Sequence, residues 1–109
     1  MRRDRLVPGT LELLILKTLA GERQLHGFEI AASIGQTSRS VFSVEEGSLY
    51  PALQRMLVKG WVTAEWGATE EGRRARYYRL TTAGRKQLQT EITHFDILVR
   101  AITRIVHAT

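Results

Sequence analysis

Residues 46–81 constrain this chain more than any other part of it. A helix-length segment, EGSLYPALQRMLVKG, runs directly into two strand-length runs, WVTAEW and RARYYRLT. In the first run Val62, Ala64 and Trp66 alternate with Trp61, Thr63 and Glu65; in the second, Arg76, Tyr78 and Leu80 alternate with Tyr77, Arg79 and Thr81. A period of two puts alternate side chains on opposite faces, so the pair reads as a half-buried antiparallel ribbon. Its connection, roughly residues 67–73, bends at Gly67 and Gly72, and Arg73, Arg74 and Arg76 make the tip cationic. An amphipathic helix followed by such a hairpin suits DNA reading. The plainer alternative for the loop is that Glu70 and Glu71 pair with those arginines in a surface network.

At about 100° per residue, Leu53, Met56 and Leu57 cluster with Leu49 on one face of the helix, with Ala52 beside them. The opposite face carries Pro51, Gln54, Arg55 and Val58, flanked by Ser48 and Lys59, with Tyr50 at the boundary. This outward set holds what base edges and phosphates need: an amide that bonds adenine in two places, a guanidinium that does so with guanine, and a small hydroxyl for phosphate oxygens. An ordinary solvated helix face is the alternative, and the basic hairpin behind the helix weighs against it. Proline lacks an amide hydrogen and is tolerated near a helix start, which predicts an irregular first turn around Ser48.

Upstream, Thr10 follows Pro8-Gly9 and is placed to cap a helix ending near Gly21. Its residues Leu11, Leu13, Leu14, Ile15, Leu16 and Leu19 leave little beyond Glu12 and Lys17 for water, so it needs burial on more than one side, the second facing another subunit. A second helix is expected over residues 27–35, with Phe28, Ile30, Ala31 and Ile34 turned inward and His26 as a turn residue bonding the local backbone. A loop rich in Ser and Thr leads on to the third helix.

Three helices and a two-stranded wing describe a winged helix-turn-helix. The fold class expected is mainly α with a small β-hairpin, as one domain over 1–109: a DNA-binding module at 9–81 and a C-terminal dimerisation helix at 82–107. Thr81 or Thr82 caps that last helix. Leu88, Ile92, Phe95, Val99, Ile102 and Val106 follow at steps of four, three, four, three and four, a heptad seam suited to pairing two copies. Leu98 and Ile105 widen the stripe for packing on the first helix. The alternative is that the stripe only covers the chain's own core.

The strings GTLELLILKTL, His26-Gly27-Phe28-Glu29-Ile30, EEGSLYPALQRM with KGWVTAEW, and GRRARYYRLTTAGRKQL resemble the PadR family of bacterial transcriptional regulators, named after the phenolic acid decarboxylase repressor. The resemblance runs from Gly9 to about Val106. It implies a cytoplasmic homodimer, a repressor acting on a pseudo-palindromic operator in double-stranded DNA. Its third helix would lie in the major groove and its wing across the backbone or minor groove. The positions it carries over are Ser48, Tyr50, Pro51, Gln54, Arg55 and Lys59 on the helix and Arg73, Arg74 and Arg76 on the wing. In some members an aromatic or hydrophobic small-molecule effector binds near the dimer centre, where this chain has Ile92, Phe95 and Val99.

Composition narrows the remaining classes. Sixteen Lys and Arg against eleven Asp and Glu leave a net charge of +5, consistent with a polyanionic partner. With no cysteine, disulfides, thiolate metal sites and Cys nucleophiles are excluded. The longest apolar stretch, residues 13–16, falls far short of a membrane span, and no cleavable signal pattern follows the basic N-terminus, so a soluble, intracellular chain is expected. The arm Met1-Arg2-Arg3-Asp4-Arg5 reads as a solvated terminus or as a phosphate contact. Enzymatic readings lack support: His26, His94 and His107 are scattered, Ser48 has no nucleophile-elbow surroundings, and neither cofactor nor metal is expected. The competing non-enzymatic reading is a winged-helix module for protein interaction or RNA binding, a use in which the basic wing and polar helix face tend to be lost.

Overall fold

The computed structural model of the protein describes residues 9–21 and 24–109, so the basic arm at 1–5 lies outside the described residues. Four helices and three short strands follow in the order α1 (Thr10–Ala20), β1 (Leu25–His26), α2 (Gly27–Thr37), α3 (Glu46–Val58), β2 (Val62–Ala68), β3 (Arg74–Leu80) and α4 (Thr82–Val106).

Helix α1 is the centre of the core. Leu11, Ile15, Leu16 and Leu19 are buried, and the helix packs against α2, α3, β3 and α4, so neighbours in the same chain cover most of its circumference. Its N-cap is Gly9 (φ 88°), which makes no side-chain cap bond; the Thr10 hydroxyl expected there is not the cap, because Thr10 already has helical geometry. Helix α2 opens with a reciprocal cap: His26 Nδ1 accepts from the Glu29 amide (3.4 Å) and Glu29 Oε1 accepts from the His26 amide (3.0 Å). This is the local backbone role expected of His26. Ile30 and Ile34 are buried, but Phe28 is 76% exposed, against its expected inward place. Two residues are about 200° on a helix, so Phe28 cannot share the face of Ile30.

The expected hairpin is part of a three-stranded antiparallel sheet in the order β1-β3-β2. The added strand is Leu25–His26, paired with Tyr78 and Tyr77, and it is too short for any period to betray it. Strands β2 and β3 pair from Val62↔Leu80 to Ala68↔Arg74, leaving a tighter connection, residues 69–73, than the sequence implied. Helix α3 runs without a break from Glu46, so the irregular turn expected at Ser48 is absent. The Glu45 carbonyl accepts from both the Ser48 and Leu49 amides (3.0 and 2.9 Å). Pro51 lies in the second turn, and its missing amide leaves a carbonyl at exposed Gly47, open to solvent.

Helix α4 is capped by Thr81, whose hydroxyl accepts from the Gly84 amide (2.9 Å) and donates to the Gly60 carbonyl (2.7 Å). Gly84 is buried against the Trp61 carbonyl, a closeness that only a residue without a side chain allows. These contacts seat the first turns of α4 on the α3–β2 junction. At about 1.5 Å per residue, a helix of 25 residues then extends well beyond the core, in a molecule 57 Å along its longest axis.

Candidate nucleic-acid interface

Leu49, Ala52, Leu53 and Met56 anchor α3 to the core, and Leu57 is partly buried. Ser48, Tyr50, Pro51, Gln54, Arg55, Val58 and Lys59 are all exposed, the division that the helix wheel predicts. Tyr50 occupies space left by a missing side chain. A Cβ on Gly27 would stand 2.6 Å from its hydroxyl, so a glycine at the start of α2 is what lets the ring lie there.

Two of these residues are already partnered. Arg55 Nη2 donates to Glu12 Oε1 of α1 at 2.9 Å, and Lys59 Nζ stands 3.8 Å from Glu12 Oε2. Lys59 also lies 4.6 Å from the centroid of Trp61. The guanidinium expected to read guanine is thus drawn towards α1, while Ser48, Tyr50, Pro51 and Gln54 meet solvent nearer the helix start. Glu12 was not singled out from the sequence. The signal was there, since it is a rare acid on a helix otherwise apolar nearly all round.

On the wing, register decides which side chains meet. Val62↔Leu80, Ala64↔Tyr78, Trp66↔Arg76 and Ala68↔Arg74 are cross-strand pairs, so these side chains share one face. Its inner end is core, with Val62, Tyr78 and Leu80 buried. The outer end is an exposed tryptophan with two arginines over it, Arg74 at 4.6 Å and Arg76 at 5.9 Å from the Trp66 centroid. A ring face attracts a guanidinium and holds it flat, leaving its edge donors free. The three arginines are not equivalent. Arg73 and Arg74 are exposed, whereas Arg76 is partly buried and its Nε has no hydrogen-bond partner. The alternation with Val62 and Ala64 already puts Trp66 on this face; its place under the two arginines follows from the strand register.

The wing tip is tied by its own backbone. The Thr69 amide donates to the Arg73 carbonyl (2.8 Å), the Arg73 amide to the Thr69 hydroxyl (3.1 Å), and Gly72 takes φ +80°. Among the described residues, Glu70 and Glu71 form no ion pair with the wing arginines, so the neutralising surface network is not seen. Burial pushes the Tyr78 phenol above its ordinary value, against a lowering by Arg76 beside it; Tyr50 on α3 is near enough to add a smaller rise.

The expected dimer seam divides in two. Leu88 is 5% exposed and belongs to the chain's own core, and Ile92 packs against that core. From Phe95 onward none of the described residues buries the stripe: Phe95, Leu98, Val99, Ile102, Ile105 and Val106 are between 42% and 77% exposed. Leu98 and Ile105 therefore do not pack on α1 as expected. A cleft of about 370 Å³ lies between α2 and α3, lined by Phe28, Phe42, Leu49 and Tyr50 among others, and Ile92, Phe95 and Val99 are not part of it. Among the described residues there is no cluster of His, Asp or Glu fit to hold a metal ion, and no helix is long and apolar enough to cross a membrane.

Residues 15–90 match the model of the transcriptional regulator PadR-like family. A transcriptional regulator of Mycobacterium tuberculosis is 31% identical over 83 residues, covering 76% of this chain and 74% of the relative. A PadR family transcription regulator of Clostridium difficile superposes with a TM-score of 0.76 at 27% identity, covering 90% of this chain and 99% of that one. The fold is also that of a transcriptional regulator of Clostridium thermocellum, with a TM-score of 0.82 at 24% identity over 90% of this chain and 94% of the other.

Proposed function

We propose that this chain, which belongs to the PadR-like family of transcriptional regulators, acts in the cytoplasm as a homodimeric repressor on a pseudo-palindromic operator. The observation that carries the reading is a pair of features on neighbouring elements: the exposed polar side of α3, and the outer end of the β2–β3 face, where Arg74 and Arg76 lie over an exposed Trp66. In this reading α3 enters the major groove, where Ser48, Tyr50, Pro51 and Gln54 meet base edges and Arg55 and Lys59 lie along its border. Arg73, Arg74 and Arg76 take phosphates or a narrow minor groove, whose negative potential favours arginine. The open apolar half of α4 supports a second copy as its partner, and a two-fold dimer spaces half-sites about 34–36 Å apart.

Fluorescence anisotropy with a duplex selected by the wild type, and with random duplex, tests the reading. Gln54→Ala should weaken the selected duplex about tenfold or more and the random one far less, since a bidentate base contact contributes about 1–3 kcal/mol of discrimination. Arg74→Ala should weaken both alike and lower the log–log salt slope by about 1.8 for a dimer, at about 0.9 per phosphate contact. Binding indifferent to both changes would overturn the reading.

A further inference from the structure

We propose that Glu12 is a specificity determinant: an internal counter-ion that holds Arg55 and Lys59 of α3 back from indiscriminate phosphate contact. The proposal rests on the DNA-binding reading above. It starts from a difference in exposure, since the Glu12 side chain is 15% exposed while those of Arg55 and Lys59 are 53% and 48% exposed. The anion is built into the seam between α1 and α3, in the first turn of α1, where the helix dipole favours a carboxylate. Its two partners are long side chains whose ends reach solvent.

Each carboxylate oxygen faces a different cation, Oε1 towards Arg55 at 2.9 Å and Oε2 towards Lys59 at 3.8 Å. The pairing brings one negative charge to the end of the recognition helix, against two positive ones. A phosphate approaching Arg55 must compete with a carboxylate already hydrogen-bonded to it, and is repelled by that carboxylate. On random DNA nothing offsets this cost, because phosphate contacts supply essentially all of the affinity. On a preferred site the base contacts of α3 seat the helix, and Arg55 meets the DNA with the N–H donors that Glu12 leaves free. Glu12 thus acts through its two partners as a positioning residue. The wing arginines have no such anion among the described residues and stay available to any duplex.

The test uses Glu12→Gln, which keeps the side chain's shape and removes its charge, measured by anisotropy on a 30-base-pair random duplex and on the wild-type-selected duplex. Random-duplex affinity should rise about fivefold and the log–log salt slope should steepen by about 1 to 2 for the dimer. The selected duplex should gain less, so the specificity ratio falls. In an Arg55→Ala, Lys59→Ala background the same substitution should change random binding less than twofold, a dependence that a purely structural role for Glu12 would not produce. Unchanged or weaker random binding, a parallel gain on both duplexes, or a gain that persists without Arg55 and Lys59 would each overturn the proposal. Wild-type protein that binds neither duplex would instead overturn the DNA-binding reading itself.

Discussion

Gly84→Ala places one methyl group where the fold has no room for it. An added Cβ would fall far inside contact distance of the Trp61 carbonyl oxygen and 3.0 Å from both the Trp61 carbonyl carbon and Leu80 Cδ2. The leucine methyl has freedom to turn away. The carbonyl does not, because it accepts from the Thr81 amide at 3.0 Å, and the Trp61 amide is itself held by the Met56 carbonyl at 3.0 Å. The first turn of α4 must therefore lift. Overpacking of this kind costs about 1–3 kcal/mol, and loosening the Thr81–Trp61 bond adds about 1 kcal/mol. Better helix propensity of alanine returns at most about 1 kcal/mol. The net loss of about 2 kcal/mol corresponds to a fall in Tm of about 10 °C for a domain of this size. Thermal melts by circular dichroism measure it, at one protomer concentration for all variants, since self-association would make Tm concentration-dependent. Gly47→Ala is the control: nothing lies within 4 Å of a Cβ there, so it should leave Tm unchanged or raise it. A Gly84→Ala melt within about 2 °C of wild type would refute the claim that the Trp61 carbonyl sets the position of α4.

If the open half of α4 joins two copies as proposed, Val99→Asp with Ile102→Asp should halve the mass measured by light scattering, and an unchanged mass would exclude α4 as the seam. Gly27→Ala pushes the Tyr50 ring aside at its hydroxyl, Cζ and Cε1, and this exposed side chain has room to swing outward. It should weaken selected-duplex binding several-fold with little change in Tm, whereas a large fall in Tm with binding retained would show Tyr50 to be structural. Tyr78 holds its proton more tightly folded than unfolded, because burial raises its phenol above 10.0. The folded state therefore binds more protons above that pH, and stability is lost as pH rises through 10 and beyond. Tyr78→Phe should flatten that alkaline decline in urea-melt midpoints; an equally steep decline would mean that other groups cause it.

The sequence was most legible where one period rules a long segment. The two faces of α3 followed from the positions of Leu49, Ala52, Leu53 and Met56, and the wing from alternation around Val62 and Leu80. Phe28 is apolar yet faces solvent, because it stands about 200° from Ile30 on α2. Strand β1 escaped because two residues carry no period. The tie between Glu12 and Arg55 joins positions 43 residues apart, and no local pattern encodes a contact at that range.

What the sequence determined by itself is therefore the set of faces: which side of each element is apolar, where the cationic wing lies, and that α4 carries an apolar stripe at heptad spacing. These are properties of spacing, and they hold before any element meets another. Which residues on those faces remain free was decided only by tertiary packing. It turned Leu88 inward and left the stripe open from Phe95, stacked Arg74 and Arg76 over Trp66, and set a partly buried carboxylate against Arg55 and Lys59. The physical reason is that burial and ion pairing depend on distances between elements, and those distances exist only once helix α1 has gathered its neighbours around it.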